Sequence, residues 1–378
     1  MRLWVSNIYK KRRKIGLIVN PIAGLGGPLG RKGTDDHKTV AEALRRGLKK
    51  TSLERATRAL KFFRGIDVVV YAPRGEMGEI SVISAGLGSK FIPLEYTPSS
   101  PSTREDTLRA SEEIVRKGVD LLLFSGGDGT AADVLKVVNH RLVVLGIPSG
   151  VKVFSSVFAK TPEDAGRVAR DYLEGRLDEA VGEVVDIPEE DYRSGSFSPK
   201  VIGTLRVPCS HLVQGSKSME APDEVVLEGI YRYIRSRLEA RGLIVLGPGR
   251  TVSFIAAKMG YEKNPSTVDV ITGGKYLEDV DYFEMESIIG GSQDRPLVIL
   301  TPIGGTSFLL GRGNHQLIPA IKRADWGEDV MIVSTPSKIR NIEELLVDVD
   351  EPLENVPGYI RVIIGYREEK IVRVRLTQ

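Results

Sequence analysis

Residues 121–135 read LLLFSGGDGTAADVL. The apolar run Leu121, Leu122, Leu123, Phe124 stops at Ser125-Gly126-Gly127-Asp128-Gly129-Thr130, and an apolar helical pattern follows at once. A strand-length apolar run, a glycine turn and a helix make the βα unit of a parallel sheet. Glycines in such a turn let backbone N–H groups approach an anion, and the following helix N-terminus favours negative charge. Asp128 sits in the middle of that turn and is itself an anion. Its place is explained if the neighbouring anion is to be moved. Asp128 would then take the proton of a hydroxyl attacking a phosphoryl group, or meet the phosphate through Mg²⁺. The plain alternative is a helix cap, which does not need three flanking glycines. On the reactive reading, Asp128→Ala should spare the fold and remove activity.

The same alternation extends outward from this turn. KIGLIVN (14–20), IDVVVYAP (66–73), KFIPLEY (90–96), VDLLLFS (119–125) and RLVVLGIP (141–148) read as near-continuous apolar strands. DDHKTVAEALRRGLKK (35–50), MGEISVISAG (77–86), TREDTLRASEEIVRKG (103–118) and TAADVLKVVNH (130–140) read as helices between them, the third with a Thr cap and early acids. Buried strands alternating with helices predict an α/β fold with a doubly wound parallel sheet over residues 1–180. Residues 183–208 mix short apolar runs with Pro, Gly and Ser and read as β-rich or irregular. EVVLEGIYRYIRSRLEARG (224–242) is an amphipathic helix. Strands at 242–249, 267–272, 296–305 and 329–336, a helix at 251–260 and a hairpin at 359–376 follow. Residues 181–378 therefore form a second, mixed α/β domain with an antiparallel edge, its C-terminal segment returning to the first.

Composition narrows the function. A chain of 378 residues exceeds one ordinary core. It has no run of about 18 uncharged apolar residues, so no membrane span is expected. The basic KKRRK (10–14) is followed by no secretory apolar segment, and a net charge of +3 makes no case for nucleic acid. Cys209 is the only cysteine, which excludes an intrachain disulfide and points to a reducing, cytoplasmic setting. Gln (four) and Asn (seven) are scarce against abundant charged residues, a hyperthermophile bias. His37, His140, His211 and His315 show no metal spacing, and no Gly-x-Ser-x-Gly elbow is present.

Ligands of a doubly wound sheet sit beyond the carboxyl ends of its strands. Three loops lie there. NPIAGLGGPLGRKG (20–33) offers Asn20, Pro21, Gly24, Gly26 and Gly27 beside the cations Arg31 and Lys32, a composition suited to phosphate, without the Gly-Lys-Ser/Thr of a Walker A loop. The 126–130 turn adds Gly126, Gly127, Gly129 and Thr130. PSGVKVFSSVFA (148–159) adds Gly150, Lys152, Ser155 and Ser156 ahead of a mildly apolar helix start. In the second domain, Gly247 and Gly249 open a helix after a strand. TPIGGTSFLLGRGNHQLIP (301–319) places Gly304, Gly305, Thr306, Arg312 and Asn314 where a cleft between the domains would meet phosphates, and Lys338 ends the next strand.

GGDGT after an apolar strand, with NPIAG upstream and GVKVFSSVFA downstream, resembles the ATP-NAD kinase family, a relative of the diacylglycerol and sphingosine kinases. NPIAGLGG, STREDT, GGDGTAADV, TPIGGTSFLLGRGNHQLIP and GYIRVIIGY, in that order, resemble its AcoX-like branch. The resemblance implies phosphoryl transfer from ATP or polyphosphate, with Mg²⁺, to a small-molecule hydroxyl. NAD is the favoured acceptor, with Asp128 activating the ribose 2′-hydroxyl and Asn20 and Gly24 near the nucleotide. A nucleoside, sugar or small-alcohol kinase and a non-catalytic nucleotide-binding regulator are the alternatives. Well-known members carry an all-β second domain, whereas residues 241–340 here read α/β. By analogy with the family a homo-oligomer is expected.

Overall fold

The computed structural model describes residues 12–29, 37–150, 153–186, 200–210, 212–214, 224–303, 307–311, 313–340 and 342–377. The first sheet holds β1 (Arg13–Val19), β2 (Val68–Ala72), β3 (Phe91–Pro93), β4 (Leu121–Gly126) and β5 (Val144–Pro148). They lie in the order β3-β2-β1-β4-β5, and every pairing is parallel. The first-half helices are α1 (His37–Arg45), α2 (Thr51–Leu60), α3 (Glu79–Ser84), α4 (Arg104–Lys117), α5 (Asp128–Val138) and α6 (Pro162–Leu173).

Both faces of this sheet are covered, which is why its strands read as unbroken apolar runs. Ile15, Leu17 and Val19 of β1 pack with Ala56, Ala59 and Leu60 of α2 and Val168 of α6. Ile18 turns the other way, to Ile114 of α4 and Ala131 and Val134 of α5. Helix α4 starts as its sequence demands: Thr103 and Asp106 form a reciprocal capping box, and Gly118 closes the helix in the left-handed region. The ribbon of β6 (Glu179–Asp186) and β7 (Lys200–Pro208) lays Val184, Leu205 and Val207 on the α5 side of the same core.

The expected helix start after Gly150 is not seen at residues 153–160; the next helix, α6, begins at Pro162 behind a Thr161 cap. Phe158 explains the difference. Its ring packs on Gly146 and stands edge-on to Phe124, 5.2 Å between centroids, and its backbone bridges to Gly146 of β5, so residues 155–157 make a turn instead of starting a helix.

The second sheet has nine strands in the order β10-β9-β8-β11-β13-β15-β16-β14-β12. These are β8 (Leu243–Leu246), β9 (Asp269–Thr272), β10 (Lys275–Leu277), β11 (Leu297–Leu300), β12 (Phe308–Gly311), β13 (Val330–Val333), β14 (Glu344–Asp348), β15 (Tyr359–Gly365) and β16 (Glu368–Leu376). Strands β8, β11, β13 and β15 run parallel, β10-β9-β8 is an antiparallel edge, and β15-β16 is the hairpin read from the sequence. Helices α7 (Glu224–Glu239) and α8 (Arg250–Lys258) cover one face; α9 (Tyr282–Gly291) and α10 (Ile318–Arg323) cover the other. A short α11 (Pro336–Ile339) follows β13. Among the described residues, no helix is long and apolar enough to cross a membrane.

Candidate functional site

The strand order of the first sheet reverses between β1 and β4: the chain winds outward through β2 and β3, then returns to β4 and β5. The crevice of a doubly wound sheet opens at that switch point, beyond the strand ends. Asn20 follows β1 there, and Gly126-Gly127 follows β4. Asn20 ties the two loops together. Its N–H donates to Ser125 O at 2.9 Å, its Nδ2 donates to Thr130 Oγ1 at 3.2 Å, and its Oδ1 accepts the Ile22 N–H. The carbonyl of Gly126 accepts the N–H groups of Ser149 and Gly150, both at 2.9 Å, which brings in the loop after β5.

Glycine is needed where these loops touch. A Cβ on Gly150 would stand 2.5 Å from the Gly127 Cα. Gly24 has φ +88°, and a Cβ there would stand 2.5 Å from Ser149 O. Gly26 and Gly27 are buried beside it, and Pro21 is buried at the start of the loop. The 20–29 loop winds as successive tight turns. The amides of Ala23, Leu25, Gly27 and Leu29 donate to carbonyls three residues back. Those four N–H groups thus serve the loop itself, which differs from a cradle whose amides all face a phosphate.

Gly129 is the exception. It is exposed in the first turn of α5, and a Cβ built there meets nothing within 4 Å. Its neighbours do not require glycine; the space above it is open. Gly127 is the N-cap of α5 and no side chain caps this terminus.

Asp128 is the first residue of α5 and is not its cap. Its carboxylate turns back into the protein, 6% exposed. Oδ1 accepts the N–H groups of Phe154 and Ser155, each at 2.9 Å, and the Ser155 hydroxyl at 2.7 Å; Oδ2 shares the Phe154 N–H at 2.8 Å. The Ser155 hydroxyl in turn accepts the Val185 N–H at 3.1 Å, which links Asp128 to β6. The expectation that Asp128→Ala spares the fold is therefore corrected: it would strip buried donors of their acceptor. Among the described residues, no group of three His, Cys, Asp or Glu side chains could hold a metal ion.

Two other sequence candidates have hydrogen-bond partners within the protein. Ser156 Oγ accepts the Glu183 N–H at 2.7 Å and pins β6, so it is Ser155 that reaches the acid. Asn314 is buried, with Nδ2 on Leu309 O at 3.0 Å. Arg31, Lys32, Lys152, Gly304, Gly305, Thr306 and Arg312 lie outside the described residues.

One element of the site escapes sequence reading. Arg55 of α2 is 3% exposed and donates to Pro148 O (3.2 Å) at the end of β5 and to Asp348 Oδ2 (2.8 Å), with Asp350 Oδ1 at 3.1 Å. Burial would lower its pKa; the two carboxylates outweigh that and raise it. The pair fastens the β5 loop to the end of β14. His315 stands on the other side of the glycine loop: a Cβ on Gly27 would come within 2.8 Å of its Nδ1. Burial holds His315 below the usual imidazole range. Ser52, Arg55, Ala56, Ala59 and Leu60 form a helical stripe that could have revealed α2, but nothing nearby in sequence announces the partner of its arginine.

Comparison with known proteins follows this geometry. Residues 15–177 match the ATP-NAD kinase N-terminal domain, and residues 242–374 match the ATP-NAD kinase C-terminal domain. No curated protein and no solved structure matches the chain. The first match reaches all five strands of the parallel sheet, β1 from Ile15 on, with its three loops, and the second reaches all nine strands of the other sheet, β16 as far as Val374. The chain belongs to the ATP-NAD kinase family.

Proposed function

We propose that the chain is a cytoplasmic small-molecule kinase. It transfers the terminal phosphoryl group of ATP, or of polyphosphate, to a ribose-type hydroxyl, with the 2′-hydroxyl of NAD as the first acceptor to test. Membership of the family supports the reaction class. The observation that carries the reading is the pairing of an anchored Asp128 with open space above Gly129 at the switch point.

In the proposed step the acceptor oxygen attacks the terminal phosphorus. The new O–P bond forms as the bond to the leaving phosphate oxygen breaks, ADP (or polyphosphate shorter by one unit) departs, and the hydroxyl proton passes to the Asp128 carboxylate. The loose transition state leaves the protein mainly to position and to stabilise charge. Phe154 and Ser155 fix the carboxylate, so it needs no reorganisation when the acceptor arrives. The uncapped N-terminus of α5 favours the phosphate charge. Mg²⁺, in this proposal, comes bound to the donor's phosphates.

The test is a transfer assay with Mg²⁺ and either ATP or polyphosphate against NAD, nucleosides and small sugars, with Asp128→Asn as the control. Asparagine keeps an oxygen for the Phe154 and Ser155 donors, so the control stays folded. NADP⁺ formation lost in the control supports the proposal. Turnover on another acceptor moves the substrate; turnover that survives Asp128→Asn removes the base; no transfer to any acceptor removes the kinase.

A further inference from the structure

The glycine loop after β1 is gripped from both domains. On its own side Ile22, Leu25 and Leu29 pack with Val40, Ala43 and Leu48, which joins the loop to α1 in a cluster separate from the larger cores of the two sheets. A satellite cluster of this size buries little apolar surface and contributes little by itself. The rest of the grip comes from the second domain. Helix α9 opens against the loop: the N–H of Tyr282, its first residue, donates to Pro28 O at 2.8 Å. An amide at a helix start has no partner within the helix, and here the loop supplies one. Asp281, the N-cap of α9, divides its carboxylate. Oδ1 accepts the Glu284 N–H at 2.8 Å, and Oδ2 accepts Arg46 Nη1 at 3.0 Å. His315 closes another side. A Cβ on Gly27 would stand 2.8 Å from its Nδ1, and that nitrogen takes no hydrogen bond, so the ring meets the loop as a wall.

Exposed ion pairs usually contribute little, because two long side chains must be immobilised to form them. The Arg46–Asp281 pair differs in what surrounds it. The capping box with Glu284 fixes Asp281. Arg46 donates to Glu42 Oε1 at 2.5 Å, and its guanidinium lies over the Phe283 ring, 5.2 Å from the centroid. Both partners are thus ordered by other contacts. The inner side of the loop meets the chemistry: Asn20 Nδ2 reaches Thr130 in the first turn of α5, the uncapped terminus that favours phosphate charge. Successive tight turns join that inner side to the outer side held by α9 and His315.

We propose that Arg46, Asp281 and His315 are positioning residues: from the second domain they hold the 20–29 loop in the form that receives the phosphoryl donor. They act through the loop and not on the reacting atoms. The identity of the ligand rests on the kinase reading; the clamp rests on the contacts alone. A tie that merely joins the domains, as Arg55–Asp348 does, is the competing use of the same contacts.

The experiment is hydrogen exchange of the full chain, followed by mass spectrometry, on wild type, Arg46→Glu and Arg46→Lys, beside steady-state kinetics of each. In Arg46→Glu the amides of Ala23, Leu25, Gly27 and Leu29 should exchange roughly fivefold faster while those of β4 keep their rate, the loss of one ordered ion pair. The KM for the donor should rise about fivefold, with kcat and the acceptor KM within about twofold of wild type. Arg46→Lys should restore both. Gly27→Ala, which pushes a methyl at His315, should loosen the same amides, and adding His315→Ala should relieve it; this pair serves if Arg46→Glu does not fold. Unchanged exchange of the loop in Arg46→Glu overturns the proposal. So does faster exchange with an unchanged donor KM, which leaves only a tie between domains. Where the wild type transfers to no acceptor, calorimetry with ATP and with polyphosphate replaces the donor KM: weaker binding in Arg46→Glu supports the positioning role, and unchanged or absent binding overturns it. The kinase reading fails on transfer by the wild type and the clamp on the difference between variants, so the two failures are told apart.

Discussion

Replacing Gly129 by alanine separates stability from activity. Gly129 lies in the first turn of α5, and its added Cβ meets no protein atom within 4 Å. The folded chain loses nothing. Glycine in a helix is worse than alanine by roughly 0.5–1 kcal/mol, and a first-turn position should sit near the lower figure. Gly129→Ala should therefore stabilise the protein by about 0.5 kcal/mol, a rise of about 1 °C in the melting temperature at this chain length. If the space above Gly129 is where the reacting groups lie, the methyl meets ligand. Overpacking by one methyl costs about 1–3 kcal/mol, or roughly 5- to 150-fold in kcat/KM. The assay is a melt beside steady-state kinetics on the acceptor found for the wild type. A stabilised variant with kcat/KM within about twofold of wild type would show that nothing reactive approaches Gly129, and the site would have to move.

Asp128→Ala should melt lower than Asp128→Asn by about 1–3 kcal/mol, because alanine leaves the Phe154 and Ser155 donors without their acceptor; chemical denaturation of the two variants checks this. Arg55→Met should cost about 3–5 kcal/mol, since Asp348, 0% exposed, loses its guanidinium; a denaturation midpoint close to wild type would refute the latch. His315, held neutral by burial, sets a pH slope. Below the unfolded value of 6.5 the unfolded chain takes up a proton that the folded chain resists, so stability should fall as pH drops from about 6.5. His315→Gln should flatten that slope in melts taken between about pH 5 and pH 7.

Much of the first half could be read from its residues. The βα alternation, the Thr103–Asp106 start of α4 and the switch-point loops all follow from local pattern, because each residue's reason lies within a few positions of it. The errors share a different origin. Val153, Phe154, Val157 and Phe158 carry helical spacing, yet Phe158 wedges on Gly146 and the segment makes only a turn before it bridges to β5; a contact distant in sequence overrides the period. Ser155 and Ser156 are alike in sequence and opposite in role, because the Ser155 hydroxyl goes back to Asp128 and Ser156 Oγ takes the Glu183 N–H, partners 27 residues away on either side. Asp128 could be picked out as chemically odd, but its anchoring by Ser155 could not, since the donors come from 26 and 27 residues away.

The Arg55–Asp348 pair also has a history in time. The two residues are 293 positions apart, so a ribosome adding about 5–20 residues per second makes the arginine some 15 to 60 seconds before the aspartate. Through that interval α2 can coil and the parallel sheet can assemble, but its buried guanidinium has no carboxylate to meet. The loop after β5 has the Gly126 carbonyl and Asp128 to hold it within the first half, and its tie to the second sheet through Arg55 waits for Asp348 and Asp350.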